Sequence, residues 1–129
     1  MDSTEKVSTG EMGSVRIADD VVAIIAGLAA TEVEGVAGMS GGFAGGIAEI
    51  LGRRNLSKGV KVEVGENEAF IELFIIVKYG ARIPDVAWNI QENVKKAVEN
   101  MTGLATNKIS VHIQGVQFGT KLAEEDEDK

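Results

Sequence analysis

Apolar and polar positions change their period several times along this chain, and each change marks an element. Ser14-Val15-Arg16-Ile17-Ala18 alternates polar with apolar residues and predicts a short strand. Asp19 stands where it can cap a helix running from about Asp20 to Glu34, which Gly35 closes. Between Val21 and Ala30 that helix has no polar side chain, so it is expected to be covered on nearly all sides, by its own domain or by another subunit. Further along, Val60, Val62 and Val64 alternate with Lys61 and Glu63, Gly65-Glu66-Asn67-Glu68 supplies a turn, and Ala69 to Tyr79 continues as a long strand, giving a β-hairpin. Its second strand places Ile71, Leu73, Ile75, Val77 and Tyr79 on one face, expected to be core, and Phe70, Glu72, Phe74, Ile76 and Lys78 on the other. Pro84 suits the first turn of a second helix and Gly103 its end, with Val86, Ile90, Val94, Ala97 and Met101 as the inward stripe. Lys108 to Phe118 closes the pattern as a half-buried strand.

Between the first helix and the hairpin lies a stretch, residues 35–52, in which seven glycines stand at 35, 38, 41, 42, 45, 46 and 52. Ordering glycine-rich backbone is costly, so a flexible insert is expected there. Within it Phe43, Ile47, Ile50 and Leu51 recur at helical spacing and predict a short amphipathic helix, followed by the cations Arg53, Arg54, Lys58 and Lys61. The resulting order of strand, helix, insert, hairpin, helix, strand predicts an α/β fold of the α+β type. It would be a mixed sheet of about four strands with two main helices packed on it.

A chain of 129 residues with 44% apolar content suits one domain with one modest core. Residues 13–118 are taken as that domain, with disordered tails over 1–12 and 119–129; the second tail is acidic, carrying the like-charge run Glu124 to Asp128. Of the net charge of −7, −2 falls on residues 1–12 and −3 on 119–129, so the domain itself is close to neutral. General nucleic-acid binding is therefore not expected. There is no cysteine, which removes disulfides, thiolate metal sites and thiol nucleophiles. Residues 1–12 lack the basic start and apolar run of a secretory signal, and the apolar stretch from Val21 to Ala30 is too short to span a membrane. A cytoplasmic protein is the expectation.

The residues that carry chemistry elsewhere form no set here. His112 is the one histidine and falls on the polar side of the last strand, so neither a Ser/His/Asp grouping nor a metal site follows from spacing, and no catalytic residue, metal or cofactor is expected. Gly41-Gly42-Phe43-Ala44-Gly45-Gly46 matches neither a dinucleotide-binding fingerprint nor a Walker loop. A small-molecule or nucleotide-binding module using segment 35–52 is kept as the alternative function. The candidates that remain are for contact with partners. They are Phe43, Ile47, Ile50 and Leu51, the second face of the long strand with Phe70, Phe74 and Ile76, and Trp88 on the polar side of the second helix, with Arg53, Arg54, Lys58 and Lys61 as a basic patch.

The ordered set of segments resembles a known family. Gly13-Ser14-Val15-Arg16-Ile17-Ala18, then Glu34-Gly35-Val36-Ala37-Gly38-Met39, the glycine-rich insert, the valine-rich hairpin, Ile83-Pro84-Asp85-Val86, Met101-Thr102-Gly103-Leu104 and the strand from Ile109 to Val116 are similar to the alkaline shock protein family, the envelope-stress-response family of Gram-positive bacteria. The resemblance covers about residues 13–118. It implies a non-enzymatic cytoplasmic protein that self-associates and is held near the membrane by a membrane-anchored protein partner, supporting cell-envelope homeostasis. It implies no catalytic residue.

Overall fold

One long strand, residues 68–78, carries neighbours along both of its edges, and the rest of the fold is arranged around it. The computed structural model describes residues 6–10, 12–41, 58–118 and 121–122. Its elements in chain order are β1 (Lys6–Gly10), β2 (Gly13–Ile17), α1 (Asp19–Thr31), β3 (Val36–Met39), β4 (Val60–Val64), β5 (Glu68–Lys78), α2 (Ile83–Thr102), β6 (Ala105–Phe118) and β7 (Lys121–Leu122). On one edge of β5, β4 pairs antiparallel with residues 69–73 and β3 antiparallel with residues 75–77. On the other edge β6 runs parallel to β5, a pairing that requires a long crossover, which α2 provides. β7 adds two residues antiparallel to the end of β6. The sheet is therefore mixed, and two helices pack on it as the sequence pattern predicts.

Both helices lie on the same side of this sheet. Ile71, Leu73, Ile75 and Val77 of β5 are at most 1% exposed and meet Val22, Ala26 and Ala29 of α1 and Val86, Ile90, Val94 and Val98 of α2. Burying each of the larger side chains contributes about 1.5–3 kcal/mol, so this single layer holds the fold together. The alanines of α1 let the helices approach closely. At that contact the Asn93 side-chain amide of α2 donates to the Ala29 carbonyl of α1 over 2.8 Å. A bulge in β6, where Ile75 pairs with Ile113 but Ile76 with Gly115, restores the alternation so that both Ile113 and Val116 pack on the core.

The helix ends follow their local chemistry. Pro84 sits in the first turn of α2, and Gly103 takes a left-handed conformation at φ 77° so that its N–H reaches the Glu99 carbonyl over 2.9 Å. α1 begins one residue after β2, and Asp19 and Asp20 lie in its first turn, where negative charge is favoured by the helix dipole. The expectation that Asp19 caps α1 is corrected: Ala18 holds that position and Asp19 is already helical.

Several other expectations change. Lys6–Gly10, assigned to a tail, forms β1 and pairs with β2, because Val7, Ser8 and Thr9 meet Arg16, Val15 and Ser14 in register. Lys121–Leu122 likewise pairs with β6 inside the segment assigned to the acidic tail. Tyr79 leaves the core face at 73% exposure, since β5 ends at Lys78 and the chain turns there. Met101 is 70% exposed and Val98 and Thr102 take the inward positions, because the buried stripe Val86, Ile90, Val94, Val98 and Thr102 keeps a spacing of four and so winds around the helix instead of following its 3.6-residue period. α1 is not covered on all sides: Val21 and Leu28 are nearly half exposed. The predicted helix over Phe43 to Leu51 lies outside the described residues.

Candidate partner interface

Because both helices cover one face of the sheet, the opposite face is built from the alternate residues of three strands. The register sets Lys61 of β4 and Ser110 of β6 on either side of Glu72 of β5, and Glu63 and Lys108 on either side of Phe70. Cations and anions thus alternate across the strands around an aromatic centre, an arrangement favourable for cross-strand pairs. Phe74 stacks on the His112 ring, 4.7 Å between centroids and 13° from parallel, and the Lys61 ammonium lies 5.5 Å from the Phe74 centroid. His112 Nε2 is 3.9 Å from Glu72 Oε1, both side chains about half exposed. At the far end of this face the Ser40 hydroxyl donates to Gln114 Oε1 over 3.0 Å.

Between Lys61, Glu63, Phe70 and Lys108 lies a shallow groove of about 630 Å³. Phe70 is 38% exposed at its floor. Lys61 stands opposite Glu72 in register, and the carboxylates of Glu63 and Glu72 on this face are exposed. That chemistry suits adhesion: an apolar floor that gains from being covered, framed by charges that fix orientation.

The structure separates the residues that the sequence pattern grouped. Phe70 and Phe74 share the open face. Ile76 shares it too but is 3% exposed, so it offers no surface of its own. Trp88 stands elsewhere, 61% exposed on α2 beside Gln91, Lys95 and the β6 residues Thr106 and Ile109, where it edges a pocket of about 280 Å³. Lys61 frames the groove, and Lys58 is exposed just before β4. Phe43, Ile47, Ile50, Leu51, Arg53 and Arg54 lie outside the described residues.

Other features escaped the pattern. Tyr79 and Phe118 form an exposed aromatic pair at the end of the sheet, with centroids 5.4 Å apart. Lys108, at the edge of the predicted last strand, frames the groove opposite Glu63; only the strand register brings it there. Glu99 joins α2 to β6 by accepting from the Thr106 N–H at 2.8 Å and from the Lys95 ammonium at 3.0 Å. The Thr106 N–H first, and Lys95 second, hold its carboxyl below the ordinary glutamate range. Among the described residues no group of three His, Asp or Glu could hold a metal ion, and no described helix is long and apolar enough to cross a membrane.

Comparison with known proteins places this geometry among relatives. The profile of the alkaline shock protein 23 family, described by a cell envelope-related function, matches residues 7–118. The protein YqhY of Bacillus subtilis (strain 168) is 46% identical over 113 residues, which is 88% of this chain and 84% of that protein. A stress response regulator gls24 homolog of Streptococcus pyogenes serotype M3 is 28% identical over 120 residues, covering 92% of this chain and 66% of that protein. Among solved structures, a MamM-CTD chain superposes with a TM-score of 0.46 at 17% identity, covering 74% of this chain and 96% of that one.

Proposed function

Since the chain belongs to the alkaline shock protein family, whose function is cell envelope-related, we propose that it is a non-enzymatic envelope-stress-response protein that works by self-association and by binding a membrane-anchored protein partner. The observation that carries this reading is the one-sided sheet. One face holds the main core cluster, and the other presents Phe70 and Phe74 within a frame of alternating charges. Covering such a face favours association, because apolar area leaves water and the framing charges select the partner's orientation. A relative named as a stress response regulator homolog supports the stress-response part of the reading.

Sedimentation velocity across a concentration series, with cross-linking in cells, tests it. The full chain is expected to form oligomers or to be cross-linked to a membrane protein. Phe70→Glu is expected to weaken these contacts about tenfold or more while leaving thermal stability within a few degrees, since Phe70 is not part of the core. A chain that remains monomeric at every concentration and captures no membrane protein overturns the reading.

A further inference from the structure

Two features of the fold each lack what the other offers. β1 and β2 form a two-stranded ribbon that pairs with no strand of the main sheet. Its described residues from Met12 to Arg16 are exposed, Val15 to 62%, and only Ile17 at its root packs on the core. An isolated two-stranded hairpin is marginal in water and becomes stable when a third strand or a packing surface is added.

The main sheet offers such a strand position on the outer edge of β6. α2 side chains occupy its first part, with the Gln91 amide donating to the Ile109 carbonyl at 2.9 Å and Glu99 and Lys95 engaging Thr106. From Gly115 onward, the register shift and the pairing of Gln117 and Phe118 with β7 close its last part. Ser110–Gln114 lies between, and among the described residues no strand pairs with its outer edge. That window is five residues long, the length of β2. Its side chains match as well. Val111 and Ile113 point to the helix side yet stay only half-buried, because nothing described flanks them there, while Ser110, His112 and Gln114 point to the open face. β2 alternates in the same way, Val15 and Ile17 against Ser14 and Arg16.

We infer that β2 of one copy adds to β6 of a second copy along Ser110–Gln114, seating Val15 beside Val111 and Ile113. The occupant is a second copy because a single residue, Ala18, ties the ribbon to α1. α1 packs on β3 and β4, whereas α2 covers β6 on the far side of β5. This rests on the self-association proposed above and names its contact.

The absence of cysteine from the chain makes the contact mappable. Ser14→Cys and Ser110→Cys are prepared as separate full-length proteins of different mass, mixed, and treated with a short bismaleimide. The heterodimer joined between the two is expected as the main product, and Val15→Lys introduced into the first chain is expected to reduce it about tenfold or more. A Ser14→Cys/Ser110→Cys double variant that cross-links only within one chain overturns the inference, as does a mixture giving no heterodimer. If the unmodified chain self-associates and Phe70→Glu weakens it while Val15→Lys does not, the ribbon contact falls and the open-face reading stands. If the unmodified chain is monomeric throughout, both fall.

Discussion

At the scale of single residues, two positions bear weight out of proportion to their size. Gly59 adopts φ +81°, and a Cβ there would stand 2.8 Å from the Ser40 carbonyl and 3.1 Å from Met39 Cβ. Gly80 has a similar φ of +97° with open space around it. Gly80→Ala therefore costs only the left-handed strain of an L-residue, about 1–2 kcal/mol. Gly59→Ala adds a backbone clash and is expected to cost clearly more in urea denaturation; equal losses at the two positions would refute the packing argument. Glu99 makes a pH-dependent contribution. Its carboxyl is held below its unfolded value, so the stability it supplies is fully present above that unfolded value and is lost as pH falls through the folded one. Glu99→Gln is expected to flatten the acid limb of the stability-against-pH curve in that window, and an unchanged limb would count against the Thr106 contact. Neither role was legible in the sequence: Glu99 looks like any helix-surface acid until Gly103 turns the chain and brings the Thr106 N–H beside it. Trp88 was legible, because its position on the polar side of α2 follows from helical period alone, and it is exposed.

At the scale of elements, periodicity foretold existence and type well and ends poorly. The core side of β5 was readable from Ile71 to Val77 because strand alternation is strict, while Tyr79 was misplaced because the strand stops one residue earlier. In α2 the stripe was readable from Val86 to Val94 and then slipped, since Ala97, Val98, Met101 and Thr102 offer two apolar tracks and only packing selects between them. The selection has a measurable consequence. Val98→Ala, at 0% exposure, is expected to destabilise by about 2 kcal/mol, and Met101→Ala to stay within about 0.5 kcal/mol, by thermal and chemical denaturation. β1 went unseen for a different reason: its five residues include no apolar alternation strong enough to stand out, and its order comes from pairing with β2.

At the scale of the whole molecule, the sequence pattern predicted a mixed sheet with helices packed on it, and the structure shows both helices on one face. Phe70 and Phe74 lie on the second face, Phe70 at 38% exposure. The grouping of candidate residues was harder to foresee, because which strands flank β5 decides that Glu63 and Lys108 frame Phe70 while Trp88 belongs to the edge of β6. Sequence spacing holds no record of that order. The family assignment, carried by the ordered set of segments, extends to β1 in the match over residues 7–118.

Two hydrogen bonds tie β3 and β4 to the same point of β5. The Ser40 N–H donates to the Phe74 carbonyl at 2.7 Å, and the Phe74 N–H donates to the Gly59 carbonyl at 2.9 Å, so the chain leaves and re-enters the sheet at a single residue of β5. Phe74 of β5 thus serves two strands at once, and a displacement of β3 along the ladder is felt directly at the foot of β4.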